Sequence, residues 1–363
     1  MVPHWRRNQE SLTLLEPRTA PMRMLGLGDS VPTAGVLQEE VVVCRSFDDL
    51  GPHVAGKIVL FNSPMLAQLP RGPEYGKAVG YRALGASRAA AHGAVGVLVR
   101  SVTVGSLASP HTGGLRYLNE IKGEAVPKIP AAAVSVEDAE LIDRLSVAGH
   151  QVLVAFDMNC ETLPDAPSCN LLAEIPGSDP DLSDEIVLVS GHLDSWDIGQ
   201  GAQDDGAGVM HAVGAARLIR ELGVAPRRTI RVVLWTNEEN GTRGGHDYVD
   251  KHGDEPHALA IESDAGAGQP LAWKANGTAE QMKWLTKVAA LTGIPVEAGG
   301  GGVDIAPLMK KRSVLGTGLR NRVDAYFDIH HTEADTIDKI DPALFKEGLA
   351  MVAALTWQAA NED

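Results

Sequence analysis

The segment Ile186–Asp205, IVLVSGHLDSWDIGQGAQDD, decides how this chain is read. It opens on Ile186-Val187-Leu188-Val189, a run of apolar and β-branched residues that reads as a buried strand. The strand ends at Ser190-Gly191. His192, Asp194, Asp197, Asp204 and Asp205 then crowd around a turn carrying Gly199 and Gly201. After Asp205, the apolar Val209, Val213, Ala216 and Ile219 recur at helical spacing. An imidazole and several carboxylates thus stand at the C-terminal end of a strand that leads into a helix. Open α/β sheets bind ligands at that edge, and this group of side chains is a metal-site layout.

The same strand-then-acid pattern returns downstream. The strand TIRVVLWTNEE ends on Glu238-Glu239, ALAIESDAG ends on Asp264, and a later loop carries His330-His331. NLLAEIPG reads as a further strand, GTRGGHDYVDKH as the opening of a helix, and FKEGLAMVAALTWQAA as a closing amphipathic helix. Alternating strands and helices predict an α/β fold, with a mixed, mostly parallel sheet flanked by helices. Upstream, EEVVVC, GKIVLFN, VGVLVRS and HQVLVAF read as strands, and ALGASRAAAHGA and VEDAELIDRLSVAG as helices. They make a smaller α/β unit of about 120 residues, an ordinary domain size. Its His92, His111 and His150 are scattered and read as surface or core residues. His246, His252 and His257 read as surface, and Gly299–Gly302 as a loop. Residues 1–34 are polar and broken by prolines, and ETLPDAPSC (161–169) reads as a linker.

Bulk properties narrow the function. The chain has 363 residues, long enough for two domains, with 44% hydrophobic and 22% charged residues, as in ordinary globular proteins. Acidic residues outnumber basic ones by 47 to 32, a net charge of -15 that argues against a nucleic-acid partner. No apolar run is long enough to span a membrane, and the opening MVPHWRRNQE lacks the apolar core of a signal peptide. Three cysteines, Cys44, Cys160 and Cys169, exclude a disulfide framework; unpaired thiols are expected, with one Cys160–Cys169 bridge as the alternative.

Imidazole and carboxylate donors without thiolates suit zinc, with manganese or cobalt as substitutes. His192, Asp204, Glu238-Glu239, Asp264 and His330-His331 exceed what one catalytic zinc needs, and suit two ions sharing a bridging carboxylate. Such a pair can hold a hydroxide and polarise a carbonyl. In the Glu238-Glu239 doublet, one carboxylate can bind metal while the other moves a proton. Asp194, two residues after His192, is placed to accept the other imidazole N–H and fix its tautomer.

HLDSWDIGQGAQDDGAG, LWTNEENG, IESDAG and FDIHHTEADTID resemble the catalytic segments of the carboxypeptidase Q (plasma glutamate carboxypeptidase) family and its bacterial relatives. LEPR, LGLG, SPHTGG and VPKIPAAAVSVEDAEL extend the resemblance over nearly the whole chain, while GKIVL and AHGAVGVLV resemble a protease-associated domain. The resemblance implies the phosphorylase/hydrolase-like fold of di-zinc aminopeptidases with a smaller inserted protease-associated domain. Residues 1–34 would be an abbreviated N-terminal part of the peptidase domain, 35–160 the inserted domain and 161–363 the catalytic domain. Relatives carry a leader and further N-terminal helices, which implies a secreted or periplasmic protein. Position by position, Asp204 would bridge both zinc ions, His192 and Asp264 would complete one, and Glu239 and His331 the other. His331 rather than His330 fits because the family's ligand directly precedes the Thr of an HT-x-x-DT pattern, here Thr332 with Asp335-Thr336. Glu238 would be the general base, and the Asp204–Asp205 peptide bond would be cis. Trp196, Asp304 and His330 are placed toward the substrate. The implied activity is an aminopeptidase or dipeptidase cleaving dipeptides or short peptides with a free N-terminus, in a homodimer. A non-catalytic binding protein on this scaffold would have lost ligands or the base. A glutaminyl cyclase would resemble a single-zinc site with no inserted domain.

Overall fold

The computed structural model describes residues 1–68, 72–105 and 107–362. They form two compact units: Pro3–Ala166 with Phe327–Ala334, and Met1–Val2 with Pro167–Tyr326 and Asp335–Asp363.

The first unit is built on β1 (Val2–Glu16), β2 (Ala20–Met22), β3 (Met24–Gly26), β4 (Leu37–Cys44), β5 (Ile58–Phe61), β6 (Gly96–Arg100), β7 (Ala131–Val134) and β8 (Leu153–Ala166). They lie in the order β2-β1-β8-β4-β5-β6-β7-β3, with β4 to β7 parallel. Alternate side chains of β5 serve opposite cores. Val59 and Phe61 pack with Ala86 and Ala89 of α1 (Tyr75–Ala90), while Ile58 and Leu60 pack with Ala139 and Ile142 of α2 (Val136–Val147). Both faces are covered, which is why IVLF is apolar at every position.

Two segments differ from the sequence expectation. β1, β2 and β3 arise from the proline-broken residues 1–34 and join this first sheet, because Leu12 and Leu14 bury alternate side chains in its core. β8 runs on to Ala166 through most of the expected linker; Val154, Phe156, Met158 and Cys160 are buried at every second position, so the strand does not stop at residue 160. Cys44, Cys160 and Cys169 are free thiols.

The second unit contains β9 (Leu171–Ile175), β10 (Ile186–His192), β11 (Thr229–Trp235), β12 (His257–Glu262), β13 (Pro270–Asn276), β14 (Val296–Ala298) and β15 (Gly316–Asn321). Their order is β9-β11-β10-β12-β15-β13-β14. Only β9–β11 and β13–β15 pair antiparallel, so the sheet is mixed and mostly parallel. On one face Val187 and Val189 pack with α3 (Ala207–Glu221), α5 (Ala279–Val288) and α7 (Pro342–Asn361). On the other, Ile186 and Leu188 pack with Tyr248 of α4 (Arg243–His252) and Leu308 of α6 (Ala306–Arg312). The central strand β10 is therefore buried along its whole length and leads straight to His192. Among the described residues, no helix is long and apolar enough to cross a membrane.

Candidate metal centre

β10 delivers His192 at its last residue, and the chain returns through a π-type turn, Ala202–Gly206, into α3. A side chain at Gly191 would stand 2.6 Å from the backbone nitrogen of Val209, so only glycine lets α3 begin so close to the strand end. Two carboxylates hold the turn. Asp335 accepts the N–H groups of Gln203 at 2.7 Å and Asp204 at 3.1 Å, and Asp205 accepts those of His192 at 3.1 Å and Gly208 at 3.0 Å. The Asp204–Asp205 peptide bond is cis, as the resemblance implies.

The presented groups converge. His192 Nε2 lies 3.1 Å from Asp204 Oδ1 and 3.6 Å from Asp264 Oδ1, and the ligand atoms of the three residues all lie within 4.8 Å of one another. His192 Nδ1 is 2.8 Å from the backbone carbonyl of Asp194. A carbonyl oxygen only accepts, so Nδ1 carries a proton and Nε2 is the ring atom turned toward two carboxylates. With acceptors on the far side, the position between them calls for positive charge, which a proton on Nε2 or a bound metal cation supplies, and this is the arrangement of a metal site.

Electrostatics agree. Burial opposes charge on His192, yet Asp204 and Asp264 hold its imidazole well above the usual range. Burial, with Asp264 next, raises the Glu238 carboxyl well above the ordinary carboxylate range, and burial with Glu262 does the same for Asp304. Burial is the larger cause of both carboxyl shifts, and the neighbouring acidic groups add to it, as in a cluster short of positive charge.

The glutamate doublet is positioned by a loop after β11. Asn237 adopts φ 66, a left-handed conformation that asparagine tolerates, and the chain folds back toward β10. Here the structure corrects one expectation. The carbonyl of Asp194, not its carboxylate, orients His192. The carboxylate instead accepts the N–H groups of Glu238 at 3.1 Å and Glu239 at 3.2 Å, because the chain's turn after His192 aims it at this loop. Trp196 Nε1 donates to Glu239 Oε2 at 2.7 Å, and carboxylate oxygens of Glu239 and Asp204 lie within 4.8 Å.

Within the second unit the structure thus gathers His192, Asp194, Asp204, Asp264, Glu238, Glu239 and Trp196. Asp304 is enclosed, with both carboxylate oxygens buried and without a hydrogen-bond partner among the described residues. His330 and His331 belong to the segment that packs with the first unit. His331 Nδ1 lies 3.2 Å from the Thr112 carbonyl and 3.3 Å from Arg82 Nη1, and the buried His330 ring meets Tyr75 and Phe327 edge-on. Sequence reasoning missed Asp335 and Glu262. Glu262 accepts N–H groups from Val303 at 2.7 Å and Ile305 at 2.9 Å, fixing the loop after the glycine run. The HT-x-x-DT pattern contained Asp335 and could have drawn attention to it.

Comparison with known proteins places this geometry. Residues 170–356 match the profile of peptidase family M28. The chain is 40% identical to carboxypeptidase Q of Bos taurus over 99% of this chain and 75% of that one, and 38% identical to the Homo sapiens protein at the same coverage. A Shewanella amazonensis M28 peptidase precursor superposes with a TM-score of 0.91 at 36% identity, covering 100% of this chain and 83% of its own. A Bacillus subtilis zinc aminopeptidase shares the fold, with a TM-score of 0.66 at 19% identity over 99% and 85% of the two chains. The chain belongs to peptidase family M28, as a carboxypeptidase Q-like zinc peptidase.

Proposed function

We propose that the chain is an aminopeptidase or dipeptidase that hydrolyses dipeptides or short peptides carrying a free N-terminus. The observation that supports this most is His192 Nε2 directed at Asp204 and Asp264, with the half-buried Glu238 beside them. In this reading His192, Asp264 and Asp204 would hold one zinc ion, and Glu239, His331 and Asp204 would hold a second. When bound, the ions supply Lewis-acid polarisation of the scissile carbonyl and lower the pKa of a water.

The residues contribute the rest. Glu238 takes a proton from the attacking water and hands it to the departing amine. Its burial favours the protonated form, so it can carry the proton between the two events. Asp194 fixes where Glu238 stands by holding two consecutive N–H groups of its loop, and Trp196 orients the Glu239 carboxylate. Residues 35–160, part of the first unit, are read as a protease-associated domain, and the assembly as a homodimer, both on the family resemblance.

The experiment is hydrolysis of a dipeptide panel and its N-acetylated copies after chelation and after add-back of zinc, manganese or cobalt. Cleavage of the free dipeptides alone, abolished by chelation and restored by metal, is the expected result. Glu238→Gln should lose turnover by at least about a hundredfold while metal content per chain stays unchanged. Near-normal activity of that variant would remove Glu238 from the mechanism. No cleavage by the folded protein with any metal would overturn the whole reading.

A further inference from the structure

A cavity of about 400 Å³ opens beside Asp264. Glu262 and Asp264 form one wall, Lys274 and Arg320 another, and Gly301 and Gly302 contribute backbone to the lining. The strand register explains this polarity. Glu262 of β12 pairs with Gly318 of β15, Gly318 with Lys274 of β13, and Lys274 with Glu297 of β14. Residues aligned across a sheet share a face, so this row presents a carboxylate, then Gly318, over which the Gly301 carbonyl packs where a Cβ would stand, and then an ammonium group. Neighbouring strands lie about 4.8 Å apart, which separates the Cα atoms of Glu262 and Lys274 by about 10 Å. Arg320, two residues beyond Gly318, projects from the same face.

The two walls are not equivalent. Glu262 is engaged by the backbone N–H groups of Val303, Asp304 and Ile305, and Asp264 belongs to the metal cluster. The cations share a single carboxylate. Lys274 Nζ lies 3.0 Å from Glu297 Oε2, and Arg320 Nη2 donates to Glu297 Oε1 at 2.9 Å. One anion between two cations leaves a unit of positive charge. An ammonium has three donors and a guanidinium five, far more than Glu297 uses. Arg320 Nε is buried and meets no acceptor among the described residues. Both side chains remain about one-third exposed, at 37% and 32%, so a solute can reach them.

We propose that Lys274 and Arg320 hold a carboxylate of the substrate, the terminal carboxylate when the substrate is a dipeptide. This rests on the exopeptidase reading above and deepens it. An extended chain advances at most about 3.5 Å per residue. About 10 Å is the rise of about three residues, and the contact distances at the two walls take up part of it, so the basic wall suits a carboxylate one or two residues past the scissile bond. A carboxylate on a side chain near the bond carries the same chemistry.

The test compares Ala-Ala with Ala-Ala amide, Glu-Ala amide and Ala-Glu amide on the zinc-loaded protein. KM for Ala-Ala should lie at least about tenfold below that for its amide, the effect of losing one charge-assisted contact. In Arg320→Gln and, separately, Lys274→Met the acid-to-amide ratio should fall toward one, while Arg320→Lys retains part of it. Recovery of low KM by either glutamyl amide assigns the carboxylate to a side chain; no recovery assigns it to the terminus. A ratio near one in the native protein, or a ratio that survives both substitutions, overturns the proposal. Calorimetric titration of the Glu238→Gln protein with Ala-Ala and its amide reads the same preference without turnover. Failed catalysis would thus count against the mechanism while this preference is still decided.

Discussion

The carboxylate of Asp194 accepts the N–H groups of Glu238 and Glu239, at 3.1 and 3.2 Å, while its carbonyl takes His192 Nδ1 at 2.8 Å. One residue therefore orients the base and two metal-site side chains from different strands. Asp194→Ala removes two hydrogen bonds to a charged acceptor, each worth about 1.5–3 kcal/mol, and frees the loop to drift. Misplacement of a reacting group by about 1 Å costs about a hundredfold in rate. The variant should therefore lose about a hundredfold in kcat, with KM changed less and the far-ultraviolet circular dichroism unaltered. Wild-type kcat in Asp194→Ala would mean that something else positions Glu238. The ligand types were legible because imidazole and carboxylate are themselves the chemistry, and each follows an apolar run. The supports were not. Asp335 and Glu262 act on backbone N–H groups, so the sequence does not show their partners, and although the HT-x-x-DT pattern contains Asp335, it acts across more than a hundred residues.

At the scale of elements, the entry to α3 is set by contact distance. A Cβ at Gly208 would stand 1.8 Å from the carbonyl oxygen of Ser263 and 2.4 Å from both carboxylate oxygens of Asp205. Neither neighbour can yield, since the first is backbone beside Asp264 and the second holds the N–H of His192. Gly208→Ala should destabilise the protein by about 3 kcal/mol, the upper end of overpacking costs, and weaken zinc binding. Gly80, inside α1, meets nothing within 4 Å of its hypothetical Cβ, so Gly80→Ala should stabilise by about 0.5–1 kcal/mol. Urea titrations of both variants check the pair; equal midpoints would refute the steric account. The strands that place the site were legible in the same spirit: β10 and β11 are dense in valine, isoleucine and leucine, β12 carries alanine, leucine and isoleucine, and propensity agrees with burial. β1 was not, because it is largely polar with Pro3 inside it and Pro17 directly after it, and pairing with β2 and β8 makes it a strand. β13, β14 and β15 carry glycine, proline and charge. Their register, which creates the row from Glu262 to Glu297, is a property of partners rather than of any one segment.

Across the whole molecule, each unit has its own apolar core, and the second encloses a titratable group at the junction of two helices. His211 of α3 stacks on Phe345 of α7 with ring centroids 4.9 Å apart, and Gly348 lacks the Cβ that would strike the imidazole at 2.8 Å. Its Nε2 faces the Phe345 carbonyl at 3.2 Å and its Nδ1 the Ser263 hydroxyl at 2.9 Å, so the neutral ring has a partner on each side. Burial lowers its pKa to about 4, against an opposing contribution from the Phe345 carbonyl. In the unfolded chain the same group titrates near 6.5, so on acidification the unfolded state takes up the proton first. The stability linked to His211 is therefore complete above about pH 6.5, and is lost as pH falls from there through about 4. A shift of that size corresponds to about 3 kcal/mol at most. Other groups titrate over the same range, so the informative quantity is a difference between two proteins. In His211→Gln the unfolding free energy should fall less steeply between pH 6.5 and pH 4.5 than in the native chain, even if the variant is less stable at pH 7. Urea unfolding followed by tryptophan fluorescence suits the measurement, because Trp235 and Trp273 are fully buried in the second unit. Parallel pH slopes for the two proteins would show that the imidazole is solvated or already paired with a proton in the folded state, and would remove His211 from the acid sensitivity of the fold.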